Sequence, residues 1–284
     1  IDREHLDHYG SFDAARAAFA RFVNQVSLTG AIAVCADDAE AMLLVPSVRR
    51  RIILYGRSAH AYVQIVDESS GPTGSTFTLV RDGNRLDDFT LPLLGSHNVL
   101  NAAGAVCIAL AIGIGADVIQ SALAHFRGPS RRMEIKGIEQ GVTVIDDYGH
   151  HPTEIRATLK ALRLLRPTRL IVLFQPHRYT RTQALLDEFA GAFADADSVR
   201  VLDVYAASET PIDGITGQSV TARIVASGHP DAVHVGSLSG AVASVLVELR
   251  PGDLVLTQGA GNITQAGEMI LKGLRKEEIH GETP

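Results

Sequence analysis

The strongest constraint on what this chain can fold into lies in its second half, where four short apolar runs recur, each followed by a polar loop. Val142–Ile145 leads into DDYGHHP and a helical pattern from about Pro152. Leu170–Phe174 leads into QPHRYTR and a helix from about Thr182. Val199–Val204 leads into YAASETPIDG, and Leu254–Leu256 into TQGAGN and a further helix. Runs this short that are apolar at nearly every position, rather than at alternate ones, are strands covered on both faces. That is the condition of a parallel sheet with helices on either side. The second half therefore reads as a doubly wound α/β domain.

The first half has a different rhythm. Phe12, Ala15, Phe19, Phe22, Val23 and Val26 fall at helical spacing. Strand patterns at Ala31–Ala36 and Arg51–Tyr55 bracket a short helix, Ala39–Val45, which is a β-α-β beat. Three more strand patterns follow, Ala61–Asp67, Ser75–Val80 and Arg85–Leu91. Asp82-Gly83 between the last two signals a hairpin turn. Ala-rich helices cover 98–112 and 117–126, with Gly113 and Gly115 between them. Arg127-Gly128-Pro129-Ser130 then marks a boundary, giving a first part of 1–127 and a second of 128–284. With 284 residues, 46% of them hydrophobic, there is material for two cores of the usual size of about 100–150 residues.

Composition narrows the function classes. The net charge is −6 and charged residues are 20%, so no basic excess points to nucleic acid. No apolar stretch approaches the roughly 20 residues of a membrane span, and IDREHLD at the start lacks the apolar core of a signal peptide. Cys35 and Cys107 sit in apolar runs and read as buried free thiols of a reducing, cytoplasmic compartment.

In an open parallel sheet, ligands bind beyond the carboxyl ends of the strands, and the unusual polar residues gather there. They are Asp146, Asp147, Tyr148, His150 and His151 after the first run; Gln175, His177, Arg178, Tyr179 and Arg181 after the second; Glu209 after the third; and the turn Gly259-Ala260-Gly261-Asn262 after the fourth. Arg178 and Arg181, three apart at a strand-to-helix turn, suit a carboxylate or phosphate, with a helix N-terminus beside them that also favours anions. DDYGHHP mixes carboxylates and imidazoles, so a metal site there is an alternative, although adjacent histidines tend to point apart. In GSHNVLNAAGA, Asn98 and Asn101 can pair with the amino edge of adenine, or Asn98 can cap a helix. His5 and Asp7 in HLDHY could hold a metal or cap a helix. No G-x-x-x-x-G-K-[ST] and no G-x-G-x-x-G occurs anywhere.

Together the segments HLDHY, GSHNVLNAAGA, DDYGHHPTEI, LFQPHRYTRT, DVYAASETPI and QGAGNI resemble the Mur ligases, in the family's order and across nearly the whole chain. The resemblance implies part of a central ATPase domain followed by a Rossmann-like C-terminal domain. It also implies that the UDP-sugar domain, the phosphate loop and a metal-binding glutamate lie upstream of Ile1, so that this chain is expected to be inactive alone. FQPHRYTR favours the branch that joins L-alanine to UDP-N-acetylmuramate through an acyl phosphate, using ATP and Mg2+, over the related ligases of muramyl-peptide recycling. By the same resemblance His5 looks like a magnesium ligand, Asn98 and Asn101 like adenine contacts, Arg132 like the phosphate-side arginine and Asp147 like the ribose contact. Tyr148, His150, Arg178 and Arg181 look like the amino-acid and acyl site, with His177, His150 and Arg178 as its catalytic members. Ser208 stands where relatives often have glycine. A metal-dependent hydrolase built on DDYGHHP is the competing reading.

Overall fold

The computed structural model describes residues 1–281, without the side chains of residues 7 and 276–281. It divides into two compact units, Ile1–Gly128 and Pro129–Pro284. In the first unit, α1 (Leu6–Tyr9) and α2 (Phe12–Val23) precede β1 (Ala31–Cys35), α3 (Ala39–Leu44), β2 (Arg51–Gly56), β3 (Val63–Gly71), β4 (Gly74–Arg81), β5 (Asn84–Leu91), α4 (Ser96–Ala111) and α5 (Ala116–Ala124). The sheet order is β1-β2-β3-β4-β5. The first three strands are parallel and the last three form an antiparallel meander.

Local chemistry accounts for these boundaries. Ser11 caps α2, its Oγ accepting from Ala14 N at 3.1 Å, and Asp38 does the same for α3 through Ala41 N. The β4–β5 turn puts Asp82 at φ 51° and Gly83 at φ 76°. This two-residue turn, positive at both positions, is the one whose twist matches a hairpin, and only small or glycine-like residues enter it cheaply. α4 buries Val99, Ala102, Ala103, Val106 and Cys107, an i, i+3, i+4, i+7, i+8 stripe set against Ile53, Val63, Phe77 and Leu79 of the sheet. Burial pushes the Cys107 thiol up to about 11; Cys35 is half-buried, and neither cysteine is in a disulfide. α2 buries Ala15, while Phe22 remains exposed.

The second unit runs β6 (Glu134–Glu139), β7 (Val142–Asp147), α6 (Pro152–Leu162), β8 (Leu170–Phe174), α7 (Tyr179–Ala184), β9 (Ser198–Leu202), α8 (Gly217–Ala226), β10 (Ala232–Gly236), α9 (Leu238–Leu246), β11 (Leu254–Gln258) and α10 (Thr264–Gly281). Its sheet order is β10-β9-β8-β11-β7-β6, all parallel except β6. Successive residues of the central strands enter opposite cores. Leu170, Val172 and Phe174 join one with α6 and α8, and Ile171 and Leu173 join the other with α9 and α10. Both faces of the sheet are therefore covered, as the unbroken apolar runs require.

The structure departs from the sequence expectations mainly at element ends: β9 spans Ser198–Leu202 and not Val199–Val204, and β3 Val63–Gly71 and not Ala61–Asp67. β7 continues through Asp146 and Asp147, so both carboxylates end a strand instead of opening a loop. The helix after β8 begins at Tyr179 and ends at Ala184, with turns beyond it. Edge strands β6 and β10 and helices α8 and α9 add to the pattern. No described helix is long and apolar enough to cross a membrane.

Candidate functional site

Strand register brings the carboxyl ends of the second sheet level. Asp147 on β7 pairs with Gln258 on β11, Gln258 with Phe174 on β8, and Phe174 with Val201 on β9. The four loops that follow start side by side. Their backbones are tied together: Gly259 N donates to Asp147 O, Gln175 N to Gln258 O, and Arg178 N to Tyr205 O at 2.8 Å.

A row of rings runs along this rim. Tyr148 and His150 meet edge-on with centroids 5.6 Å apart, His150 and His177 lie at 5.8 Å, and His177 stacks on Tyr205 at 5.5 Å and 10°. Gly261 makes room at the end of the row. A Cβ there would fall 2.4 Å from Gln175 Oε1 and 2.7 Å from Tyr205 Cγ, closer than any side chain allows. The two histidines of the β7 loop separate, as adjacent residues in extended backbone do. His151 is buried as the N-cap of α6, its Nδ1 accepting from Thr153 N, while Glu154 closes the capping box. His150 turns to the rim.

Hydrogen bonding assigns the tautomers. His150 Nδ1 lies 3.1 Å from Tyr148 O. A carbonyl only accepts, so Nδ1 carries the proton and Nε2 is the acceptor nitrogen of the neutral ring. His177 Nδ1 lies 3.1 Å from Arg181 Nη1. A guanidinium only donates, so this nitrogen holds the lone pair and Nε2 carries the proton. Arg181 Nη1 also donates to His177 O at 3.3 Å, which fixes one end of its fork.

Burial, then the charges of Arg181 and Arg178 and the adjacent His150, push His177 down from 6.5 to about 4. An NMR titration is expected to find its ring still neutral at pH 5.5; an apparent value above 6 contradicts the arrangement. The unfolded chain takes up this proton near 6.5 and the folded chain only near 4. His177 therefore costs no stability above 6.5 and weakens the fold as pH drops from there toward 4.

The carboxylate of Asp147 lies at the base of the loop, 2% exposed. Oδ1 accepts from Gly149 N at 2.8 Å and Oδ2 from Met133 N at 3.0 Å; Gln258 Nε2 at 3.3 Å and Thr158 Oγ1 at 3.4 Å are longer. Burial raises its pKa, opposed by the two backbone amides and by Arg132. Arg132 pairs with Glu154 at 3.0 Å. Its neighbour Arg131 does more of the construction. Nε donates to buried Asp146 at 2.8 Å, Nη2 to Gly259 O at 2.7 Å, and the guanidinium lies 5.1 Å from the Tyr148 ring centroid. Sequence reading passed over Arg131, because nothing in SRRM separates the two arginines; it also passed over Tyr205, although that residue closely follows a strand's carboxyl end.

The N-terminus of α7 differs from the expectation of an open anion site. Glu209 already occupies it: Thr180 N donates to Oε2 at 3.0 Å and Thr180 Oγ1 to Oε1 at 2.6 Å. The guanidinium groups of Arg181 and Arg178 lie close enough to His177 to act on its ring. Ala207 and Ser208 beside Glu209 sit at φ 46° and 72°, a conformation that glycine adopts at less cost.

In the first unit, Asn98 turns back on its own helix, Nδ2 donating to Leu94 O at 2.8 Å, so its side chain serves the start of α4. Asn101 is exposed and lines a groove of about 560 Å³ with Ala33, Tyr55, Gly104 and Ile108. His5 has φ 56° and lies 3.5 Å from Glu4, with its side chain 63% exposed; the side chain of Asp7 lies outside the described residues. One imidazole and one carboxylate are a poor match for Mg2+, which takes six oxygen ligands in an octahedron. Among the described residues no group of three or more His, Cys, Asp or Glu is placed to hold a metal ion. The carboxylates and imidazoles of DDYGHHP form no such group.

Comparison with known proteins agrees with this architecture. Residues 1–109 match the Mur ligase middle domain, and residues 131–261 match the family described as Mur ligase, glutamate ligase domain. The chain is 50% identical over 277 residues to the UDP-N-acetylmuramate–L-alanine ligase of Solibacter usitatus, covering 98% of this chain and 59% of that protein. It is 44% identical to the ligase of the same name from Acidobacterium capsulatum, covering 97% and 60%. It thus spans about three-fifths of the length of these relatives. Among solved structures, the UDP-N-acetylmuramate-alanine ligase of Thermotoga maritima superposes with a TM-score of 0.77 at 25% identity, over 97% of this chain and 58% of that one. A MurF ligase from Thermotoga maritima in complex with ADP shares the fold, with a TM-score of 0.75 at 16% identity, over 98% and 61%. On two domain matches, in order and over most of its length, the chain belongs to the Mur ligase family.

Proposed function

We propose that this chain carries the base-binding and amino-acid-binding share of an ATP-dependent ligase that joins L-alanine to UDP-N-acetylmuramate. The observation that carries the reading is the convergence of Tyr148, His150, His177, Arg178 and Arg181 on one rim, in a chain half identical to a ligase of that name.

The chemistry follows from the residues. In the proposed reaction, the muramyl carboxylate takes the terminal phosphoryl group of ATP and releases ADP. The alanine amine then attacks the acyl carbon, phosphate leaves, and the amine sheds a proton. The Arg178 and Arg181 guanidinium groups suit the alanine carboxylate, and their positive field favours the uncharged, nucleophilic amine. His150, with Nε2 as its acceptor nitrogen, suits the departing proton. His177, neutral and with Nε2–H as donor, suits an oxygen that gains charge as the tetrahedral intermediate forms. Asn101 is the adenine contact of this reading and Arg132 the phosphate contact. Asp147 reaches a ribose hydroxyl by giving up one of its two long hydrogen bonds. The donor set at His5 does not fit Mg2+ by itself, and no step is assigned to that ion.

The test is phosphate release by a full-length ligase carrying this sequence. Turnover is expected only when ATP, UDP-N-acetylmuramate and L-alanine are all present. Turnover with a muramyl tripeptide in place of L-alanine would move the protein to the recycling branch.

A further inference from the structure

We propose that Glu209 is the positioning residue of the amino-acid site, holding Arg178 and Arg181 in place from the loop after β9. This rests on the ligase reading for what the arginines bind, but not for the contacts themselves. α7 has six residues, and its N-cap, Arg178, offers no side-chain cap. Such a helix is too short to hold its own first turn. Glu209 supplies what is missing. Its two oxygens take Thr180 N at 3.0 Å and Thr180 Oγ1 at 2.6 Å, and the Tyr179 amide also donates to it.

The backbone shows why an outside clamp is needed. Arg178 stands at φ 66°, ψ 137°, a conformation that β-carbon-bearing residues rarely adopt and that persists only when its surroundings impose it. One side is imposed by Arg178 N to Tyr205 O, with Tyr205 N donating to Pro176 O. The other is imposed by Glu209. Arg181, one turn into α7, then reaches back to His177. Burial alone would raise the Glu209 pKa, but Thr180, the Tyr179 amide and the charge of Arg178 outweigh it and hold the carboxylate below its usual range. It is ionised wherever the site operates, and it lies close enough to Arg178 for the two charges to act on each other.

Two readouts decide the matter. In the full-length ligase, Glu209→Ala is expected to raise the KM for alanine roughly tenfold, with the KM for ATP unchanged. Glu209→Gln, which keeps one acceptor oxygen, is expected to fall between Ala and the native enzyme. Thr180→Val removes only the hydroxyl partner and serves where Glu209→Ala fails to fold. An unchanged alanine KM in both Glu209→Ala and Thr180→Val overturns the proposal. In the 15N-labelled 284-residue chain, the Nε–H signals of Arg178 and Arg181 are expected to move in the same variants, while that of Arg169, held by Asp253, stays. Unmoved Arg178 and Arg181 signals overturn the proposal whether or not the ligase turns over. A native ligase without alanine-dependent turnover sinks the functional reading alone, and the signals still decide the role of Glu209.

Discussion

Incubated with ATP, UDP-N-acetylmuramate and L-alanine, the 284-residue chain alone is expected to release no phosphate above a protein-free blank. Phosphoryl transfer is positioning plus charge stabilisation. The usual cradle is a glycine-rich loop of backbone amides with a lysine, and no G-x-x-x-x-G-K-[ST] occurs in this sequence. Arg132, the proposed phosphate contact, is paired with Glu154. Losing a single donor to a transition-state oxyanion costs roughly 10²- to 10³-fold, and here a whole loop of donors is absent. A colorimetric phosphate assay over several hours checks this. Turnover within tenfold of a full-length ligase would show that other residues of this chain grip the phosphates.

The second large effect is expected at Arg178. In a full-length ligase carrying this sequence, Arg178→Ala should raise the KM for L-alanine by roughly 10- to 100-fold, the worth of one or two hydrogen bonds to a charged group. Arg178→Lys should recover part of this, since it returns the charge but not the planar fork. The KM for ATP should hold. Initial-rate kinetics at saturating ATP measure it. Alanine kinetics equal to the native enzyme in both variants would remove Arg178 from the amino-acid site and leave the carboxylate to Arg181 alone.

Much of the fold is legible in the sequence. β8 spans Leu170–Phe174 in both sequence and structure, because a strand buried on both faces has no polar position to blur its ends. Asp82-Gly83 read correctly because the turn demands positive φ at both positions, and the sequence places there two residues that tolerate it. The misses have the opposite cause. β6 and β10 are edge strands with mixed exposure, so neither run nor alternation stands out. α7 begins at Tyr179, three residues before the sequence pattern suggests, because its first turn is stabilised from another loop.

The site divides the same way. Which residues gather was readable from strand ends alone, since a parallel sheet delivers every carboxyl end to one rim. Side-chain chemistry within motifs led to the expectation that arginines would meet an anion and asparagines a purine. Tertiary structure decided what each group is free to do. It turned Asn98 onto Leu94, filled the α7 amides with Glu209, and put Arg131, unmarked in the sequence, at the junction of Asp146, Gly259 and Tyr148. It also set the His150 and His177 tautomers in opposite senses. The physical reason is range. Burial patterns and turn preferences are local and are written residue by residue, whereas hydrogen-bond partners 29 residues apart, such as Thr180 and Glu209, exist only once the sheet has brought their loops together.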